Sequence, residues 1–246
     1  MNTQAQGRFV IIAHQRTGSN MLVSALDSHP GVRCHGELFR TNVKSYKGGL
    51  KVIASLDEVY HDEAYLEEHW KGFLDDVVAA SGKADAVGFK LMLNQSELVR
   101  NALIADPGYK KILLKRDNML SVYSSHKIAK ETGQGSARRT AEIKKACVVF
   151  DPKQFERFCK GYRNRYGDVE NALEASGQEF FRTSYMEVIK PEVIGDILEY
   201  IGADRELEWE IGTKKRNSPV LTERFSNPEE VEQYLAGIDR LDWLRE

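Results

Sequence analysis

The stretch FVIIAHQRTGSNML, from Phe9 to Leu22, decides how this chain begins to fold. Its first five residues are an unbroken apolar run rich in β-branched side chains, which predicts a buried strand of a parallel sheet. A polar loop follows from His14 to Asn20, and Met21 and Leu22 then resume an apolar pattern at helical spacing. Such a strand–loop–helix unit presents backbone N–H groups at the helix start, where the helix dipole favours negative charge.

The loop itself carries residue types that suit an anion. Gly18 permits close approach of the backbone to a ligand, and Arg16 offers a forked cation for phosphate oxygens. Thr17, Ser19 and Asn20 add neutral donors. The loop lacks the GxxxxGK[ST] pattern, and no carboxylate suited to hold Mg²⁺ follows a later strand. These residues predict an anion site; the alternative is a plain helix cap with a glycine turn.

Composition and charge indicate an ordinary soluble globular protein. The chain has 246 residues, of which 41% are hydrophobic and 29% charged, and this length predicts one domain over 1–246. A net charge of -2 argues against nucleic acid as a partner. Cys34, Cys147 and Cys159 form neither a CxxC pair nor a metal-ligand cluster. The early sequence has no apolar stretch long enough for a secretory signal or a membrane span, so we expect a cytoplasmic protein.

Strands and helices alternate along the rest of the chain. Further strands are predicted at Ala86–Lys90, Lys111–Lys115 and Glu179–Thr183, and helices over 56–80 (with a break near Gly72), 118–130, 155–175 and 191–201. The basic segment 131–147 is predicted to be a mobile loop or a frayed helix. This alternation predicts an α/β fold with a mostly parallel central sheet flanked by helices. Ligands of such sheets bind at the carboxyl ends of the strands.

A second polar segment follows the strand that ends at Lys115. Arg116 and Asp117 lead into a helix on which Ser124 lies eight residues after the arginine, slightly more than two helical turns. An arginine at a strand end and a hydroxyl on the next helix can converge on one phosphate. The alternative is that Asp117 caps the helix and the serines face solvent, but that interpretation leaves Arg116 unexplained.

These two segments resemble the donor-binding motifs of the sulfotransferases that use 3′-phosphoadenosine 5′-phosphosulfate (PAPS). Arg16-Thr17-Gly18-Ser19 resembles their 5′-phosphosulfate loop, and the Arg116…Ser124 pair resembles their 3′-phosphate motif. The segments HPGV and GELF are similar to the carbohydrate-type and bacterial branch. The resemblance implies a P-loop-like nucleotide-binding core, PAPS as donor without a metal, and donor binding by Gln15, Arg16, Thr17, Gly18, Ser19, Asn20, Arg116, Ser124, Tyr185, Lys215 and Arg216.

The resemblance also implies a reaction: transfer of a sulfuryl group to an acceptor hydroxyl, on a carbohydrate or glycoconjugate. Glu37, in the matched segment Gly36-Glu37-Leu38-Phe39, is the candidate general base. His35 is the alternative, since an unperturbed imidazole titrates near neutrality. Arg16 would steady the leaving phosphate, and Lys90 would neutralise the sulfuryl oxygens or orient the acceptor.

Two variable segments, 41–85 and 131–147, are expected to contact the acceptor. The partners expected are a small-molecule or glycan acceptor and, in a homodimer, a second copy of the chain. Two other functions stay open on the sequence: a P-loop-like kinase that uses Mg-ATP on a small molecule, and a nucleotide-binding module without catalysis.

Overall fold

A five-stranded sheet forms the centre of the molecule, and every neighbouring pair of its strands is parallel. The computed structural model describes residues 6–39, 60, 62–133, 146–210 and 218–246. The strand order is β2-β3-β1-β4-β5. The strands are β1 (Gly7–Ala13), β2 (Val32–Glu37), β3 (Ala86–Met92), β4 (Lys110–Lys115) and β5 (Phe180–Ser184).

Helices connect and cover these strands. They are α1 (Ser19–Ser28), α2 (Glu63–Glu68), α3 (Trp70–Ala80), α4 (Glu97–Ala105), α5 (Met119–Thr132), α6 (Pro152–Ala175), α7 (Tyr185–Val188), α8 (Pro191–Ile201) and α9 (Pro228–Gly237). Two 3₁₀ turns follow α8 in the chain, at Thr222–Arg224 and Leu241–Leu244.

Each face of the sheet packs on its own hydrophobic core. Val10 and Ile12 of β1 face a core that includes Phe73 of α3 and Phe155 of α6. Phe9, Ile11 and Ala13 point to the other face, where α1 and α8 pack. A parallel strand covered on both faces reads as a continuous apolar run, as β1 does. The predicted α/β fold, with a mostly parallel sheet flanked by helices and a P-loop-like strand–loop–helix unit, is confirmed.

The helix predicted over 56–80 is interrupted close to the expected place. Within its described part the break falls at His69, whose φ of -106° and ψ of 24° leave the helical range, and Gly72 lies inside α3. The helix therefore breaks near Gly72, as predicted, but not at the glycine itself. One glycine costs a helix only about 1 kcal/mol, which the burial of Trp70 and Phe73 offsets. Residues 56–59 and 61 lie outside the described residues.

The cap of α5 differs from the alternative in which Asp117 caps this helix. Asn118, and not Asp117, begins this helix, and its Oδ1 accepts a hydrogen bond of 3.0 Å from the Ser121 N–H. The Nδ2 of Asn118 donates to the carbonyls of Trp243 (3.1 Å) and Arg245 (3.0 Å). An aspartate could not make these two bonds because a carboxylate only accepts. Gly133, in the left-handed region, caps the end of the helix.

The segment 131–147 is predicted to be a mobile loop or a frayed helix. Its first residues belong to the end of α5, and residues 134–145 lie outside the described residues.

The topology creates one crevice at the carboxyl edge of the sheet. The chain leaves β1 through α1 towards β2, on one side of β1, and leaves β4 towards β5, on the other side. The carboxyl ends of β1 and β4 therefore flank the point where the connections diverge, which is where open α/β sheets bind ligands.

Candidate active site

The loop between β1 and α1 has the backbone shape of an anion nest. Arg16 and Gly18 both adopt left-handed conformations, with φ of 69° and 89°. The buried Thr17 hydroxyl donates to the His14 carbonyl (2.8 Å), and the Gly18 carbonyl accepts from the Met21 N–H (2.9 Å). Backbones that alternate in this way turn successive N–H groups into a concave surface for anions. Thr17 thus shapes the loop through its side chain.

Tyr185 joins the loop to the second predicted motif. A Cβ on Gly18 would lie 2.5 Å from the Cδ2 of the Tyr185 ring, so only glycine fits at this position. The Arg116 guanidinium carbon lies 4.1 Å from the centroid of the same ring. This cation–π contact holds Arg116 beside the loop. The tyrosine begins α7, directly after β5.

Arg116 contacts the loop directly. Its Nη1 donates to the Arg16 carbonyl (2.8 Å), while the Arg16 Nε donates to the Ser125 hydroxyl on α5 (2.8 Å). The Nε of Arg116 is buried and has no hydrogen-bond partner among the described residues. The two segments predicted to bind anions therefore form one continuous surface, 100 residues apart in the chain.

Ser124 lies on this surface with a partner that the sequence did not reveal. Its hydroxyl is buried and accepts from the Nη1 of Arg224 (3.2 Å), which also donates to the Ser121 hydroxyl (3.2 Å). Arg224 is only 4% exposed, and its Nε donates to the Ser218 carbonyl (3.0 Å). Burial lowers the pKa of Arg224, and the nearby charge of Arg116 lowers it further against the opposing effect of Glu246.

A carboxylate lies between the two arginines. One oxygen of Glu246 accepts from the Arg116 Nη2 and from the Ser121 hydroxyl, and it lies 3.4 Å from the Arg224 Nη2. We call the group formed by Arg116, Arg224, Ser121 and Ser124 the arginine pocket. Sequence reasoning missed Arg224 and Glu246 because neither lies in a motif or near a predicted strand end.

A second polar group lies on the β2–β3 side of the crevice. The Lys90 ammonium, 3% exposed, contacts Glu37 Oε1 (3.3 Å) and Asn20 Oδ1 (2.5 Å). Gln95 Nε2 donates to the other Glu37 oxygen (3.2 Å), and Gln95 Oε1 in turn accepts from the Met92 N–H (2.9 Å). The Glu37 side chain keeps 26% of its surface exposed, so this carboxylate is oriented and still open to a reactant.

The two candidate bases of β2 point to opposite faces of the sheet. The pairing of β2 with β3 shifts register between them, so that His35 opposes Phe89 whereas Glu37 opposes Lys90. Gly36 is the extra residue of this bulge, and side chains alternate along the paired positions. Glu37 thereby joins Lys90 on the α1 face. His35 turns to α3, where its Nε2 is 2.7 Å from the Ser81 hydroxyl and burial lowers its pKa.

Of the remaining predicted donor-binding residues, some lie in the described loop and others lie outside the described residues. Gln15 is half-buried in the loop, and Ser19 is buried at the first position of α1. Lys215 and Arg216 lie outside the described residues.

No group of three His, Cys, Asp or Glu residues able to hold a metal occurs in the described part of the chain. Over those same ranges, no helix has the length and apolar character to cross a membrane.

Comparisons with known proteins give a likeness at the level of structure only. No family model matches the chain, and no curated protein matches its sequence. Three solved structures superpose over most of its length. The sulfotransferase from Alicyclobacillus acidocaldarius is 14% identical with a TM-score of 0.48, covering 99% of this chain and 98% of its own.

The other two are more distant. The sulfotransferase domain of the Synechococcus PCC 7002 olefin synthase is 12% identical with a TM-score of 0.39 (95% and 89% covered). Retinol dehydratase, in complex with androsterone and the inactive cofactor PAP, is 14% identical with a TM-score of 0.38 (97% and 81% covered). Likenesses at these scores carry no argument about activity. What the fold and the contacts define is a parallel α/β protein with a cationic crevice beside an oriented carboxylate.

Proposed function

We propose that this protein is a sulfotransferase that moves the sulfuryl group of PAPS to an acceptor hydroxyl. One observation carries the proposal: the Arg116 guanidinium donates to the Arg16 carbonyl, so the loop and the Arg116…Ser124 segment belong to one site. A donor with phosphates at both its 5′ and 3′ positions needs two such anion sites within reach of one nucleotide.

The residues present fit this donor. Arg16 and the backbone of the loop would hold the 5′-phosphosulfate, since left-handed residues and a helix start aim N–H groups at one anion. Arg116 and Ser124 would hold the 3′-phosphate, and the buried, unpartnered Nε of Arg116 suits a charged oxygen. Tyr185, stacked on Arg116, would border the adenine.

The chemistry requires one proton transfer and one in-line displacement. The Glu37 carboxylate takes the acceptor's hydroxyl proton as the acceptor oxygen forms a bond to sulfur. The bond between sulfur and the 5′-phosphate oxygen breaks, and its electron pair stays on the phosphate. Arg16 and the loop N–H groups stabilise that charge, as positioned donors do in phosphoryl transfer. Lys90, between Glu37 and Asn20, would face the negative sulfuryl oxygens.

Glu37 is a better candidate for the base than His35 in this arrangement. It shares a sheet face with Lys90 and Asn20, whereas His35 contacts Ser81 on the other face. Gln95 is a positioning residue: the Met92 N–H fixes its amide, and the amide fixes one Glu37 oxygen. A base must lie within hydrogen-bond reach of the proton it removes, so this clamp supports the assignment.

The finer parts of the proposal rest on the resemblance of the motifs. We take the acceptor to be a carbohydrate or glycoconjugate hydroxyl because the loop carries arginine at its cationic position, as in the carbohydrate-type branch. A cytoplasmic location and a homodimer stay predictions from the sequence.

A thermal-shift comparison without added metal tests the donor class. Adenosine 3′,5′-bisphosphate should raise the melting temperature well above any effect of ADP or ATP, because a ligand that binds only the folded state stabilises it by mass action. A larger shift with Mg-ATP, together with ATP turnover, would establish a kinase instead. Stabilisation by the bisphosphate, with no sulfated product from PAPS and a library of glycan and small-molecule acceptors, would establish a binding module.

A further inference from the structure

The arginine pocket already holds an anion that belongs to the chain. The Glu246 side chain is 3% exposed, about as buried as Arg224, and its carboxylate contacts Arg116, Ser121 and Arg224. Two guanidinium groups this close and this buried repel each other and have lost most of their water. A negative charge between them offsets both costs, and in this structure Glu246 supplies it.

The segment that carries Glu246 is firmly held. The Glu246 N–H donates to the Pro219 carbonyl (3.0 Å), and Arg245 forms an antiparallel bridge with Val220. The ring of Trp243 is buried in the core, and the Asn118 side chain donates to the carbonyls of Trp243 and Arg245. These contacts bring the carboxylate to the pocket through the backbone. None of these contacts involves the Glu246 side chain.

We propose that Glu246 is an internal competitor of the donor's 3′-phosphate. The inference rests on the proposed function, which assigns Arg116 and Ser124 to that phosphate. The carboxylate and the phosphate need the same guanidinium groups, so one must leave before the other binds. A phosphate carries roughly 1.5 to 2 negative charges against one on the carboxylate, and it can displace Glu246.

Competition of this kind acts on the substrate and the product alike. PAPS and the desulfated nucleotide carry the same 3′-phosphate, so Glu246 weakens the binding of both. A nucleotide without that phosphate leaves Glu246 in place and is unaffected. Product release limits the turnover of many enzymes, and a carboxylate that returns to the pocket would speed it.

The experiment compares the wild-type protein with E246Q and with E232Q, an exposed glutamate of α9 that loses the same charge. Calorimetry measures the affinity of each protein for adenosine 3′,5′-bisphosphate and for adenosine 5′-monophosphate. We expect E246Q to bind the bisphosphate about tenfold more tightly, the effect of one charge-assisted hydrogen-bond pair, with the monophosphate affinity unchanged. E232Q should match the wild type for both ligands.

Inorganic phosphate gives a second readout in case E246Q is less stable. Phosphate can refill the pocket that the substitution leaves without its anion, so it should raise the melting temperature of E246Q several-fold more than that of the wild type. Bisphosphate affinity that is unchanged or weaker in E246Q would overturn the proposal and make Glu246 a purely structural ion pair. If the wild type binds the bisphosphate no better than the monophosphate, the proposed function itself has failed, which is a different result.

Discussion

The two sides of the crevice are built on opposite electrostatic principles. The side at β1 and β4, which we call the donor side, gathers Arg16, Arg116 and Arg224 around serine hydroxyls. The side at β2 and β3, which we call the acceptor side, pairs one carboxylate, Glu37, with one buried lysine, Lys90. The first arrangement suits tight retention of an anion. The second suits a proton transfer, because Glu37 is paired with Lys90 and is partly open to solvent.

Under the proposed function, this difference predicts that binding and chemistry can be changed separately. Substitutions on the donor side should alter nucleotide affinity, and substitutions on the acceptor side should alter the rate at saturating donor. Asn20 is the direct link between them, since it lies at the start of α1 and accepts from Lys90.

The largest effect is expected from Glu37→Gln. Loss of the base should lower the rate of sulfuryl transfer by about 10² to 10⁴-fold, while the affinity for adenosine 3′,5′-bisphosphate stays within twofold of the wild type. A transfer assay with radiolabelled PAPS and calorimetry measure the two quantities. His35→Asn is the matched control on the same strand. A severe loss of rate in the His35 variant with little loss in Glu37→Gln would reverse the assignment.

Arg116→Ala should give the converse result on the donor side. The substitution removes from the arginine pocket a cation that can bind an anion in bidentate fashion, so we expect bisphosphate affinity to fall about 100-fold. The affinity for adenosine 5′-monophosphate should fall much less. Arg116→Lys restores the charge without the fork and should recover part of the loss. Equal losses for both nucleotides would mean that Arg116 acts by holding the loop and not by binding the 3′-phosphate.

A change at Gln95 sharpens the description of the acceptor side. Gln95→Glu places a second carboxylate beside Glu37, and a like charge disfavours ionisation of the base. The acidic limb of the pH–rate profile should therefore move to higher pH than in the wild type. The rate should also fall by about tenfold, because the amide that donates to Glu37 is lost. Gln95→Leu, which cannot donate to Glu37, should lower the rate without that movement. An unmoved profile in the Glu variant would show that position 95 does not lie beside the base, and an unchanged rate in Gln95→Leu would show that Gln95 does not position it.

The smallest effect concerns stability and pH. Burial lowers the pKa values of His14, His35 and His126. The unfolded chain binds protons on these groups as pH falls below about 6.5, while the folded chain does not, so this stability is complete above that pH and is lost below it. Each histidine contributes at most about 1.4 kcal/mol to the fall in unfolding free energy between pH 7.5 and 5.5.

Urea unfolding of His35→Asn at the two pH values checks this prediction. The variant should lose less stability on acidification than the wild type. A transfer rate that follows the titration of His35 would contradict its placement away from the reaction.

The sequence predicted the parts of the site that are local in the chain. The loop at Arg16–Asn20 and the pair Arg116…Ser124 each follow a strand with a strong apolar pattern, and parallel strands bring their carboxyl ends together. Arg224 and Glu246 escaped because their role depends on packing between segments about 100 residues apart, which no periodicity records. On the donor side, the sequence alone therefore identified the local motifs but not Arg224 and Glu246.

The acceptor side shows a different limit. Glu37 and His35 lie two residues apart in one segment, and the sequence alone could not say which of them faces the crevice. Which of the two side chains faces the crevice depends on the register of β2 against β3, and that register shifts at Gly36. Similarly, Asn118 and Asp117 are both good helix caps, and only the donor capacity of the asparagine amide towards Trp243 and Arg245 separates them.

Because of the bulge at Gly36, β2 has one residue more between His35 and Glu37 than β3 has between their partners, Phe89 and Lys90. Gly36 itself has no partner on β3, since Glu37 pairs with the residue that follows the partner of His35. A shortened chain without Gly36 should keep Glu37 beside Lys90, with a regular ladder in place of the bulge. Deletion of Gly36 should therefore lower the transfer rate less than the substitution Glu37→Gln does.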